Sequence, residues 1–99
     1  MTGPVLEIAV YKIADADTFD RIQQQTHTLA QQLPGFRRWT HLSDGPARTD
    51  LVEWDDHAAA QAASKTFMEA AEFAPFREAI TEIQAFVHFP LKGEIRFGG

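Results

Sequence analysis

The sequence predicts an α+β fold: one four-stranded antiparallel sheet with both long helices on the same face. Three observations predict it. The 99 residues read once through as strand, helix, strand, strand, helix, strand, with little left over. Leu33-Pro34-Gly35-Phe36 separates the first helix from the second strand, and Ser43-Asp44-Gly45-Pro46 separates the second strand from the third. The first and last strands carry apolar residues on both faces, which marks strands covered on both sides.

The first strand is expected at residues 5–13. Its faces are Val5, Glu7, Ala9, Tyr11, Ile13 and Leu6, Ile8, Val10, Lys12, so Glu7 is a lone charge on an apolar face. The first helix, residues 16–33, starts from an Asp15 or Asp17 cap. Phe19, Ile22, Thr26, Leu29, Ala30 and Leu33 recur at helical spacing as its buried stripe. Pro34-Gly35 ends it, because Pro cannot continue the hydrogen-bond ladder and Gly accepts unusual dihedrals.

The second strand spans residues 36–42 and the third 50–54, joined by a segment holding the turn pair Asp44-Gly45. Alternation puts Phe36, Arg38, Thr40, Leu42 on one face and Arg37, Trp39, His41 on the other. A one-residue slip decides whether Trp39 shares a face with Trp54 or with Glu53. Asp55-Asp56 caps a helix over residues 57–71, with Ala59, Ala62, Ala63, Thr66, Phe67 and Ala70 facing the core. Those small residues let the helix approach the sheet or leave room above it. Pro75 suits the start of a short helix over residues 75–80. The last strand, residues 82–89, alternates Ile83, Ala85, Val87, Phe89 with Gln84, Phe86, His88. A further short strand is conceivable within residues 91–97.

A βαββαβ order of this kind is the ferredoxin-like split βαβ arrangement, with strand order 4-1-3-2. The helices cover one face only, so the apolar residues on the other form a large open patch. A second copy of the same sheet covers it most simply, giving a homodimer through the sheet face. One domain is expected over residues 1–99.

Composition excludes several function classes. The net charge is −5, and the tightest basic pair, Arg37-Arg38, lies within a strand, which argues against a nucleic-acid partner. No apolar run approaches the roughly 20 residues of a membrane span, and the acidic surface does not attract anionic lipid. No signal-peptide pattern opens the chain. The absence of Cys removes disulfides, thiol catalysis and thiolate metal sites, and fits a cytoplasmic location. Ser43 and Ser64, the two Ser, lack a nucleophile-elbow context.

The pattern resembles the antibiotic biosynthesis monooxygenase family and its relatives, the dimeric α/β-barrel proteins. The residues that carry the resemblance are Ile8-Ala9-Val10-Tyr11-Lys12-Ile13, Leu33-Pro34-Gly35-Phe36, Val52-Glu53-Trp54-Asp55 and Phe73-Ala74-Pro75-Phe76-Arg77. They span most of the chain. The resemblance implies a ligand pocket between the second helix and the sheet, and chemistry with no cofactor. Haem-degrading members share an Asn, Trp and His set. Here Trp54 matches the Trp, but Tyr11 and Phe73 stand where the Asn and His would be, and the chain has no Asn. Haem degradation is therefore not implied.

The expected function is binding of a small aromatic molecule, with cofactor-independent oxygenation of a quinol-like or polyphenolic substrate. The alternative is a non-catalytic ligand-binding or stress-associated barrel protein. The candidate catalytic residues are His41, His88 and Tyr11: two strand His that could serve as base and orienting group, and a phenol that could bind or protonate a substrate oxygen. The candidate binding residues are Trp39, Trp54, Phe67 and Phe76 as aromatic wall, with Glu7 as the buried charge. Each also has a structural reading: core aromatics, a tyrosine with one internal partner, a Glu in an ion pair with Arg37, Arg38 or His88. No metal site is expected, since the helical His27 and His57 lack ligand spacing.

Overall fold

The computed structural model describes residues 3–93. Four strands and three helices run in the order β1 (Val5–Ile13), α1 (Ala16–Ala30), β2 (Phe36–Asp44), β3 (Ala47–Trp54), α2 (His57–Glu69), α3 (Ala74–Ala79) and β4 (Ile80–Pro90), with a single 3-10 turn at Ala71–Phe73. The sheet is antiparallel in the order β2-β3-β1-β4. This is the ferredoxin-like α+β arrangement. Among the described residues no helix is long and apolar enough to cross a membrane.

Local chemistry sets the boundaries. Asp15 caps α1, accepting from the amides of Asp17 and Thr18; Asp56 caps α2, accepting from the amide of Ala59 at 2.8 Å. The turn after α1 needs glycine: Gly35 has φ 81°, and a Cβ there would lie 2.5 Å from the Cβ of Ala59. β2 and β3 extend further than expected, meeting in a two-residue turn at Gly45-Pro46, with Gly45 at φ 61°. Arg77 on α3 reaches back to the carbonyls of Phe67 and Ala70, each at 2.7 Å. A cation there suits the carbonyl end of α2.

Two irregularities correct the expected faces. A register shift between Phe36 and Arg38 puts Phe36 on the same side as Trp39, so Phe36 packs edge-on against Trp54 with ring centroids 5.7 Å apart. A second shift, opposite Val10/Tyr11, brings Ile83 to the same side as Phe86 and His88. In both strands strict alternation fails because a bulge adds one unpaired residue. On α1 the buried residues are Phe19, Gln23, Thr26 and Ala30, so Gln23 joins the stripe, and the helix ends before Leu33. Ala62 on α2 is exposed rather than buried. The segment 91–97 lies largely outside the described residues.

Two core clusters result. Val5, Val52, Trp54, Ala60 and Ala63 form one; Tyr11, Ile13, Phe19 and Phe76 form the other. Trp39 packs against both. Ala59, Ala60 and Ala63 pack the first half of α2 against the first cluster.

Candidate functional site

Between the two clusters lies a cavity of about 260 Å³, close to the lower end of ordinary ligand pockets, roughly 300–1,000 Å³. Its walls are mostly apolar: Ala9 and Trp39 from the sheet, Phe67 and Met68 from α2, Phe76 from α3, and Ile80, Ile83 and Phe86 from β4. Five polar residues interrupt them: Glu7, Tyr11, Asp50, Ser64 and Arg77.

The sheet register explains this set. Four rungs cross the helix-covered face: Phe36–Trp54–Val5–Pro90, Trp39–Val52–Glu7–His88, His41–Asp50–Ala9–Phe86 and Ser43–Arg48–Tyr11–Ile83. The last three bring three buried charged-type strand residues, Glu7, Arg48 and Asp50, under the helices at 4%, 3% and 2% exposure. Buried charges need partners, and each has them.

Glu7 forms one polar centre. Trp54 Nε1 donates to its Oε1 at 3.2 Å, and His88 Nε2 lies 3.4 Å from the same oxygen. Burial, and to a lesser extent the charge of Asp50, pushes Glu7 up to about 7, against the opposing bond from Trp54. Burial and the neighbouring His57 lower the pKa of His88. Both directions favour a protonated carboxyl beside a neutral imidazole, so the 3.4 Å contact is not read as an ion pair. Ser64 Oγ lies 3.3 Å from His88 Nε2 as well. Since Ser64 and Glu7 share one ring nitrogen, no Ser–His–Glu relay forms.

Asp50 forms the second centre. Tyr11 donates its hydroxyl to Asp50 Oδ2 at 2.8 Å, and His41 Nδ1 contacts Asp50 Oδ1. Arg48 lies behind them, its Nη1 2.6 Å from Asp20 Oδ1 and 3.2 Å from His41 Nε2, its Nε donating to the Gly45 carbonyl at 3.0 Å. The guanidinium also sits 5.4 Å from the centre of the Phe19 ring. Burial, followed by the negative charge of Asp50, drives the Tyr11 phenol far above its ordinary value, so it stays protonated.

Of the expected site residues, Tyr11, Glu7, Trp39, Phe67 and Phe76 line the cavity. Trp54 does not: it is fully buried in the first cluster and reaches the site only through its bond to Glu7. Nor do His41 and His88 face one cavity as a pair. Each stands against a carboxylate that lines the wall, His41 at Asp50 and His88 at Glu7. Arg37 and Arg38 pair with Glu53 on the other side of the sheet, leaving His88 as the expected partner that meets Glu7. Asp50, Ser64 and Arg77 were missed. Asp50 was detectable by the argument that singled out Glu7, a carboxylate within a strand; Ser64 and Arg77 carry no sequence signal. Among the described residues no group of three or more His, Asp or Glu is placed to hold a metal ion.

The fold is shared with solved structures. SnoaB from Streptomyces nogalater, a cofactor-independent oxygenase, superposes with a TM-score of 0.79 at 18% identity, covering 94% of this chain and 97% of that one. A protein from Chloroflexus aurantiacus named for the antibiotic biosynthesis monooxygenases has a TM-score of 0.72 at 16% identity, over 97% of this chain and 100% of the other. A conserved protein from Methanosarcina mazei Go1 has a TM-score of 0.70 at 12% identity, over 90% and 93% of the two chains. No family model matches the sequence, and no curated protein is significantly similar to it. The chain therefore has the fold of the antibiotic biosynthesis monooxygenase-like proteins.

Proposed function

We propose that this protein binds a hydroxylated aromatic molecule in the cavity between α2, α3 and the sheet, and oxidises it with molecular oxygen without a cofactor. The observation that carries the reading is Glu7: a buried carboxyl on the wall of an apolar, aromatic cavity, with its pKa pushed to about 7. A base works best when its pKa lies near the working pH. The fold shared with a cofactor-independent oxygenase supports the same reading.

The chemistry asks little of the protein. For an anthrone-like ligand, Glu7 takes a proton from the activated ring carbon. The carbanion passes one electron to O2, and the resulting radical and superoxide combine to form a C–O bond. The peroxide is protonated; its O–O bond then breaks as the second hydrogen leaves that carbon as a proton. One oxygen atom ends as a carbonyl and the other as water. Trp39, Phe67 and Phe76 hold the ring, Tyr11 meets a ligand oxygen, and His88 sits where it can take the proton on from Glu7.

The working unit in this proposal is a homodimer. On the face without helices, Leu6, Ile8, Val10, Leu51, Val87 and Phe89 line up on β1, β3 and β4, with Val87 and Phe89 39% and 56% exposed. Each such side chain gains about 1.5–3 kcal/mol on full burial, and a second copy offers the matching surface.

The test is oxygen consumption by the purified protein with a panel of quinols and anthrone-like phenols, with no flavin or metal added. Protein-dependent uptake supports the oxygenase. Ligand binding without uptake would replace it with the non-catalytic binding reading.

A further inference from the structure

Tyr11 carries a polarity that the proposed function does not use. Its hydroxyl proton is committed to Asp50 Oδ2, and both residues line the cavity. A phenol has one donor and can also accept. With the proton pointing at Asp50, what Tyr11 has left for the cavity is an acceptor.

The network behind it fixes that direction. Arg48 Nη1 has no lone pair, so the imidazole nitrogen 3.2 Å away, His41 Nε2, must accept. The proton of His41 then sits on Nδ1 and is donated to Asp50 Oδ1. The Gln23 side chain also meets Nδ1, placed with its amide nitrogen toward the ring; exchanging amide nitrogen and oxygen, which the network requires, makes it a second acceptor that shares the single Nδ1 proton with Asp50. Asp50 thus accepts from His41 on one oxygen and from Tyr11 on the other. With each of its oxygens accepting, Asp50 offers Tyr11 no donor, so Tyr11 cannot turn its proton to the ligand without losing its partner.

We propose that the cavity selects its ligand by a hydroxyl that donates a hydrogen bond to Tyr11 Oη, a polarity imposed by Asp50 and held by His41. The proposal rests on the reading of the cavity as an aromatic-ligand site. It adds a selection rule: a phenol or quinol is favoured over its ether or its quinone. Asp50 and Tyr11 meet the cavity; His41 is a positioning residue.

The other polar wall groups do not produce the same preference. Arg77 Nη1 is bound to two carbonyls and Ser64 to His88. The Trp39 indole N–H is without a partner among the described residues, but it serves any ligand oxygen, etherified or not. Glu7 can also accept, and one variant separates it from Tyr11.

The experiment is calorimetric titration of the purified protein with naphthol, methoxynaphthalene and naphthoquinone. We expect naphthol to bind about tenfold more tightly than the other two, the worth of one hydrogen bond. Tyr11→Phe should remove the preference while leaving methoxynaphthalene affinity within about twofold. Asp50→Asn should abolish it, because a donating Tyr11 serves naphthol, ether and quinone oxygens alike. His41 Nδ1–H holds the amide oxygen, so the amide nitrogen faces Tyr11 and turns the phenol proton toward the ligand. If Tyr11→Phe keeps the preference, the hydroxyl is read by another acceptor of the wall, Glu7 or Asp50, and the inference falls alone. Equal binding of all three probes to the wild type also overturns it. Binding of none would remove the aromatic-site reading and the inference together. Tyr11→Phe decides the matter if Asp50→Asn does not fold.

Discussion

The two faces of this sheet invert the usual distribution of polarity. The face under the helices, buried, holds Glu7, Arg48, Asp50 and Tyr11 among its aromatics, with Gln23 of α1 against them. The open face presents Leu42, Val87 and Phe89 at 49%, 39% and 56% exposure, with Leu6, Ile8, Val10 and Leu51 between them. Burying charge is costly and exposing large apolar groups wastes hydrophobic stabilisation. A sequence that does both at once separates two tasks. Its polar interior suits chemistry, and its apolar exterior suits a second copy of the sheet.

The largest effect expected from breaking this arrangement is on the inner face. Glu7→Gln should lower anthrone-dependent oxygen uptake by roughly 10²–10⁴-fold, the usual range for loss of a general base, while preserving the circular dichroism spectrum. Its stability should also change with pH in a defined direction. The folded-state pKa of Glu7 is about 7, above the ordinary 4.5. The folded state therefore holds this proton more tightly than the unfolded state. The associated stabilisation is present at low pH and is lost as pH rises from about 4.5 through 7. Denaturant titrations across that window should show this decline in the wild type and its absence in Glu7→Gln.

Next comes the second cluster. Phe19 is 1% exposed and touches Tyr11, Phe76 and the Arg48 guanidinium. Phe19→Ala should cost about 3–5 kcal/mol in denaturant unfolding and loosen the Asp50 network with it. On the open face, Val87→Glu should replace burial worth about 1.5–3 kcal/mol per copy with an unpaired charge. Analytical ultracentrifugation should show the proposed dimer in the wild type and a monomer in the variant, with the cavity intact in each chain. The smallest effect belongs to the rim. Arg38 is 64% exposed in its pairing with Glu53, and Arg38→Ala should change stability by less than about 1 kcal/mol.

Much of this fold was legible in the sequence. Pro34-Gly35 and Asp44-Gly45 mark the two sharp reversals, and Asp15 and Asp56 cap the two long helices. What escaped was register. The bulges beside Phe36 and opposite Tyr11 each add one residue, Arg37 and Gln84, neither of them Gly or Pro, so Phe36 and Ile83 were assigned to the wrong faces. The site was legible in pieces. Glu7 stood out as a charge on an apolar face, and Asp50 had the same claim but lay at an expected strand end. His41 and His88 looked like one pair because both lie in strands beside aromatic residues. Two intervening strands instead give each its own carboxylate.

The central claim is that Glu7 serves as a proton acceptor in the buried face. The most direct measurement is the pH dependence of anthrone-dependent oxygen uptake in wild type and Glu7→Gln. A base acts in its ionised form, so the wild-type rate should rise with pH through about 7, and the variant should show a low rate without that rise. A variant that keeps both the wild-type rate and the same rise would contradict the account, and would place the proton acceptor elsewhere.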